Sequence, residues 1–281
     1  MSPIHDQSYR HYLGSREPLG RAWAVIAGTG IRGMFARKLF LILMITAWIP
    51  FVVWAVGIYI IEMYPQAGAV VPIDASYFRR VLDFQGTWVF FVTIYAGSGL
   101  IAHDRRANAL QIYLSKPLLR TEYIGGKLAV LVFFLLLITL VPTLLLLVLQ
   151  MMFSGGFDLI RTDPQVVPAV ILSSLVTVTV ASTTMLALSS LSKSTRYVAI
   201  LYTGFIFFTS AMFGVLAVVT GSTRVAWVSI LANMENVSDW LFRQELSYDT
   251  PLMVSALVLL GFVAVSISVL ERRVRGVEIV S

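Results

Sequence analysis

Six runs of sequence, 39–61, 86–102, 128–150, 166–191, 197–220 and 251–270, contain no Asp, Glu, Lys, Arg or His. A helix rises ~1.5 Å per residue and the hydrocarbon core of a bilayer is ~30 Å thick, so about 20 apolar residues cross it. Five of the runs reach that length; 86–102 is shorter and includes Gly86, Gly97 and Gly99. A chain in lipid must satisfy its own backbone hydrogen bonds, and an apolar run of this length does so as a helix. The sequence therefore predicts an all-α polytopic membrane protein with six transmembrane helices, forming a single transmembrane domain over 1–281. Composition agrees, at 58% hydrophobic and 13% charged, whereas soluble domains are ~45–50% apolar and ~25% charged. The pieces between the runs are too short to hold a separate domain. The first run lies behind the polar and basic segment 1–38 and is too long for a cleaved signal, so it reads as a span that stays. With no cysteine in the chain, disulfides and thiolate chemistry are excluded.

Charge sets the expected orientation, because Lys and Arg close to span ends are retained on the cytoplasmic side. The segments 1–38, 103–127, 192–196 and 271–281 hold 16 of the 21 Lys and Arg, and the alternate segments hold the rest. Both termini are expected to be cytoplasmic, in an inner or plasma membrane. A net charge of +6 would also suit nucleic acid, but these cations flank spans. Anionic lipid headgroups are the expected partner and nucleic acid is not.

Within 1–38, a helical wheel gathers Trp23, Ile26, Ala27, Ile31, Met34 and Phe35 on one half, with Arg21 and Arg32 opposite. This predicts an amphipathic interface helix along the inner leaflet. Gly28, Gly30 and Gly33 spell G-x-G-x-x-G, but a dinucleotide site needs a parallel sheet around it and an acid about 20 residues on. Here the first span follows, and the next acid is Glu62.

In the loop 103–127, residues 107–114 read as a short helix with Leu110, Tyr113 and Leu114 on one ridge, halted by Pro117. Such a helix either lies on the bilayer or inserts its ridge into a groove of a soluble partner. Gly126-Lys127 resembles the end of a phosphate loop but fails the pattern, since Thr121 replaces the first glycine and Leu128 follows the lysine. On the other side, 221–250 places Trp227, Ile230, Leu231 and Met234 at helical spacing, which predicts an outer segment dipping back into the interface. The stretch 62–85 shows no pattern beyond Pro65 and Pro72. Pro50 and Pro142 fall at mid-span and permit kinks. The fourth span is rich in Ser and Thr, with Ser173, Ser174 and Thr177 as a candidate face for helix packing, dimer contact or a translocation path.

Catalysis by this chain alone is not expected. Ala96-Gly97-Ser98-Gly99 resembles the serine turn of rhomboid proteases, but His5, His11 and His103 all lie outside the spans, so no base accompanies the serine. H-E-x-x-H and paired intramembrane aspartates are absent from the sequence. With no ionisable residue in any run, proton coupling lacks a titrating group, and uphill transport would need an external energy source.

The segment from Gly97 to Lys127 carries Gly99-Leu100-Ile101-Ala102, Asp104-Arg105, Ala109-Leu110, Leu114-Ser115-Lys116-Pro117, Arg120, Glu122-Tyr123 and Gly126-Lys127. This resembles the span-two-to-loop signature of ATP-binding-cassette type-2 (ABC-2) permeases, the type V exporter architecture. The resemblance implies six spans, an N-terminal interface helix, a coupling helix over 107–115 and re-entrant helices before span six. It implies a ridge of Leu110, Tyr113 and Leu114 flanked by Asp104, Arg105, Arg106, Ser115, Lys116, Pro117 and Arg120, facing a cytoplasmic nucleotide-binding ATPase subunit. It also implies a second permease copy or homologue as dimer partner, with ATP and Mg held by the ATPase and no cofactor in this chain. The expected function is that of a transport permease subunit, in the direction of export. The sequence leaves open a structural or regulatory membrane subunit without solute flux, or an ATP-independent carrier.

Overall fold

A computed structural model of the chain describes residues 22–64, 72–108 and 119–274. Among these residues all regular structure is helical, and six helical segments are long and apolar enough to cross a membrane. The helices are α1 (Ala22–Phe35), α2 (Lys38–Met63), α3 (Ala75–Val92), α4 (Ala102–Arg106), α5 (Arg120–Ile138), α6 (Leu140–Ser154), α7 (Asp158–Thr162), α8 (Val166–Leu191), α9 (Thr195–Thr220), α10 (Ile230–Leu241) and α11 (Leu252–Arg273). The crossing segments are α2, α3 with α4, α5 with α6, α8, α9 and α11. The ends of the bundle differ in charge: one holds Arg105, Lys127, Arg196 and Arg272, the other Asp74, Asp158, Glu235 and Asp239. They are called here the basic end and the acidic end.

The second crossing segment begins at Ala75, well before the uncharged run at 86–102. Asp74 starts it: its Oδ1 accepts from the Ser76 and Tyr77 backbone N–H groups at 2.9 and 3.3 Å, satisfying donors that a first helical turn leaves free. Arg79, Arg80 and Asp83 are therefore part of this helix, and the expectation of six crossings without an ionisable residue is corrected. The same helix is interrupted later by a π-turn at Thr93–Gly97 and a bend before α4.

Of the two mid-span prolines, only Pro142 breaks its helix. Pro142 has no N–H to continue the ladder, and α5 gives way to α6 at Thr139. Side-chain bonds flank the break, with Thr139 Oγ1 donating to the Leu135 carbonyl at 2.8 Å and Thr143 Oγ1 to the Thr139 carbonyl at 2.7 Å. Pro50 sits inside the continuous α2.

Two larger cores, one towards each end, share α2, α3 and α8. Phe40, Val130, Phe134 and Met185 centre the one near the basic end, and Ile58, Tyr77, Leu147 and Val170 the other. Helix α8 is the central strut, whereas α2, α9 and α11 leave large apolar surfaces such as Ile45, Val218 and Leu260 on the periphery.

Helix α1, the expected interface helix, packs against α5. Its contacts step along α5 in one direction, Ile26 beside Gly126, Gly30 beside Val130 and Phe35 against Phe134, so the two run side by side. Ile26, Ile31 and Met34 from the expected face pack on this core, whereas Trp23 and Phe35 remain half exposed. Glycine permits the approach. A Cβ on Gly126 would meet Ile26 Cβ at 2.8 Å and the Trp23 carbonyl at 2.9 Å, while one on Gly125 would meet nothing within 4 Å. Gly126→Val is therefore expected to cost about 1–3 kcal/mol by overpacking and to lift α1 off, speeding tryptic cleavage at Arg32 and Arg37, with Gly125→Val as the unaffected control.

Candidate functional site

Two arrangements have the character of a functional site, one at each end of α8. At the basic end, Asp104, Tyr123 and Lys127 of the 97–127 signature assemble into one cluster. Asp104 Oδ2 lies 2.7 Å from Lys127 Nζ and accepts the Tyr123 hydroxyl hydrogen at 2.7 Å. Arg105 donates to the carbonyl of Ser190, at the end of α8. His103 Nε2 and Thr195 Oγ1 stand 3.1 Å apart, linking α4 to the start of α9. The chain therefore leaves the bundle after α4 and returns at α5 on the same footing.

Ser189 completes that footing. Its Oγ accepts from the N–H groups of Ile101 and Ala102 at 3.2 and 3.1 Å and donates to the Ser98 carbonyl at 3.0 Å. These backbone groups are freed by the bend between the π-turn and α4, and all three bonds are buried. The Ser- and Thr-rich character of α8 is thus used, at this end, to hold a broken neighbour.

Of the sequence-derived coupling residues, Asp104 and Arg105 are drawn into the bundle, while Arg106 and Arg120 are exposed. Leu110, Tyr113, Leu114, Ser115, Lys116 and Pro117 lie outside the described residues.

Towards the acidic end a groove of about 460 Å³ opens between α3, α8, α9 and α10. Ser173 and Thr177, two of the three proposed face residues on α8, line it, together with Thr184 below them. Ser174 is buried elsewhere in the packing. Aromatic side chains form the opposite wall: Phe90 stacks on Tyr202 at 5.9 Å and meets Phe207 edge-on at 5.9 Å, closing the contact between α3 and α9.

The charged groups at the mouth escaped the sequence reading. Arg79, only 5% exposed, reaches across to Asp239 with Nε and Nη2 at 2.9 and 2.8 Å from Oδ1. It also pairs with Asp83 one turn along α3 and donates to the Glu235 carbonyl. Asp239 is tied further, accepting from the Ser247 N–H at 2.9 Å and its hydroxyl at 2.7 Å. Glu235 accepts the Tyr248 hydroxyl hydrogen at 2.7 Å. Burial raises the Glu235 carboxyl above its ordinary range, and Asp83 and Asp239 add to this, against the lowering effects of Tyr248 and Arg79. Burial and the Glu235 carboxylate push the Tyr248 hydroxyl upward as well.

The outer segment 221–250 forms a 3-10 turn at Thr223–Val228 followed by α10, as its apolar spacing suggested. Its buried face, however, carries Asn233, Asn236 and Asp239. Asn233 Nδ2 donates to the Ser229 and Trp227 carbonyls at 2.7 and 2.9 Å, and Asn236 is bonded to the loop around Tyr248 and Thr250. Trp227 and Trp240 point outward, the placement tryptophan favours at a membrane interface. The signals for this site were the Arg79/Asp83 pair at i, i+4 behind a capping Asp74, and the polar period of Asn233, Asn236 and Asp239.

No protein-family model matches the chain, and no curated protein matches it in sequence.

Proposed function

We propose that this chain is the membrane-embedded permease subunit of an ABC-2-type transporter, working with a second permease copy or homologue. In this reading its basic end faces the cytoplasm, and the loop from 107 to 119 engages a separate nucleotide-binding ATPase. The observation that carries the proposal is the closed footing of that loop. The Asp104, Tyr123 and Lys127 cluster joins the two flanks of the loop, and Arg105 and the Ser189 hydroxyl tie the first flank to the end of α8, a helix that lines the groove through Ser173 and Thr177. A push on the loop is passed to the groove wall by a rigid strut of 26 residues.

ATP binding draws two ATPase subunits together and, through the paired loops, alters the separation of the permease bundles. The motor then supplies the difference in affinity between the two states, which is the energetic requirement for any such shift. The ATPase activity belongs to the partner, which also holds ATP and Mg. Co-purification tests the contact. The tagged full-length chain is expected to retain its ATPase through purification, and Leu110→Asp with Tyr113→Asp, which puts charge on the apolar ridge, is expected to lose it. An unchanged complex would count against the reading.

A further inference from the structure

We propose that the groove between α3, α8, α9 and α10 binds a lipophilic organic cation. As a statement about cargo, this rests on the permease reading above; as a statement about binding, it does not.

Charge is the first observation. Two carboxylates, on Asp83 and Glu235, line the groove beside one cation, Arg79, and a third, on Asp239, stands buried behind that cation. Arg79 spends its guanidinium on Asp83, Asp239 and the Glu235 carbonyl. Among the described residues no Lys or Arg is within ion-pair distance of the Glu235 carboxylate. The mouth therefore carries an excess of negative charge in a half-buried setting, where a guest cation is attracted more strongly than in water. A metal ion is a poor fit, since among the described residues no three His, Cys, Asp or Glu side chains converge as ligands.

A second, independent observation points to a guest. Ser173 lines the groove at 2% exposure, and its hydroxyl has no hydrogen-bond partner. Ser174 is unpartnered too but lies off the groove, whereas Ser173 stands on its wall, where a polar atom of a guest can meet the hydroxyl. Shape and lining supply the third. A volume of about 460 Å³ lies within the ~300–1,000 Å³ range of small-molecule sites. Phe90, Phe91, Tyr202 and Phe207 give the groove aromatic faces, which attract cations as well as apolar bodies. Phe91 and Phe207 are exposed on the bundle flank, so a membrane-dissolved guest reaches the groove sideways from lipid. An apolar, aromatic-compatible body with one positive charge and one hydrogen-bonding atom meets all three features, and an anion meets the wrong charge.

The test uses the purified full-length chain alone in lipid nanodiscs. Tetraphenylphosphonium is the probe, and tetraphenylborate, of the same shape and opposite charge, is its control. Tetraphenylphosphonium is expected to bind saturably and tetraphenylborate not. Glu235→Gln is expected to weaken the cation by about tenfold, the scale of one partly screened charge, and Thr177→Phe, which fills the groove without touching charge, to weaken it at least as much. Glu235→Gln keeps an acceptor for Tyr248 and removes a carboxylate whose ionisation burial opposes. It is therefore expected to melt at or above the wild-type temperature at neutral pH, so weaker binding is not a folding defect. Equal binding of both ions, no saturable binding of the cation, or an unchanged affinity in Glu235→Gln would overturn the proposal. No ATPase is present in this measurement, so its failure leaves the permease reading standing, and loss of the ATPase contact leaves the groove standing.

Discussion

Arg79→Leu is expected to lower stability by about 3–5 kcal/mol, the range for removing one partner of a buried ion pair. Asp239 is 4% exposed and would lose the guanidinium at 2.8 Å, with only the Ser247 donors left to its carboxyl group. Asp83 is half exposed and can turn to water. The cost therefore falls on Asp239, and with it on the docking of α10 against α3. Adding Asp239→Asn removes the stranded carboxyl group and keeps an acceptor for Ser247, so the double variant should recover much of the loss. Thermal melting of the detergent-purified protein reads both. An Arg79→Leu protein that melts with the wild type would show that the Arg79–Asp239 pair does not hold the outer segment in place.

Ser189→Ala is the second large effect, expected at about 2–4 kcal/mol, because it strands two buried N–H groups, on Ile101 and Ala102. The paired control is Ser174→Ala, on the same helix and equally buried, whose hydroxyl has no partner. That change is expected to be neutral or slightly stabilising. The contrast separates a hydroxyl that holds a broken helix from one that merely fills space. Because Ser189 sits at the footing of the loop, Ser189→Ala should also weaken ATPase retention at temperatures where the protein is still folded. Equal melting of the two variants would contradict the role assigned to Ser189.

The parts of this fold legible in the sequence are those governed by local hydropathy. Five crossing segments begin or end within a few residues of their uncharged runs, because a helix in lipid is defined by what it excludes. The start of α3 was hidden for the same reason. Hydropathy treats Arg79 as an outside residue, and only its partner 160 positions later makes it an inside one. The Asn233, Asn236 and Asp239 face was masked by the apolar spacing of Trp227, Ile230, Leu231 and Met234, which gave the segment an apolar side and drew attention away from its polar one. Helix propensity counts against a glycine such as Gly30, yet Gly30 of α1 and Gly126 of α5 are what lets the two helices lie close. Propensity describes a lone helix, and contact between two helices reverses the sign of the argument. The α8 hydroxyls stood out in sequence, but composition alone could not divide them between Ser189, which repairs a bend, and Ser173, which faces a groove.

The account depends on the loop after α4 reaching the compartment that contains ATP. The chain has no cysteine, so a single introduced one reports its own sidedness. Asn108→Cys, at the last described position before the loop, and Ser222→Cys, between α9 and α10, are each treated with a membrane-impermeant maleimide in intact cells and after permeabilisation. The account predicts that Ser222→Cys labels in intact cells and Asn108→Cys only once the membrane is opened; labelling of Asn108→Cys from outside intact cells would contradict it.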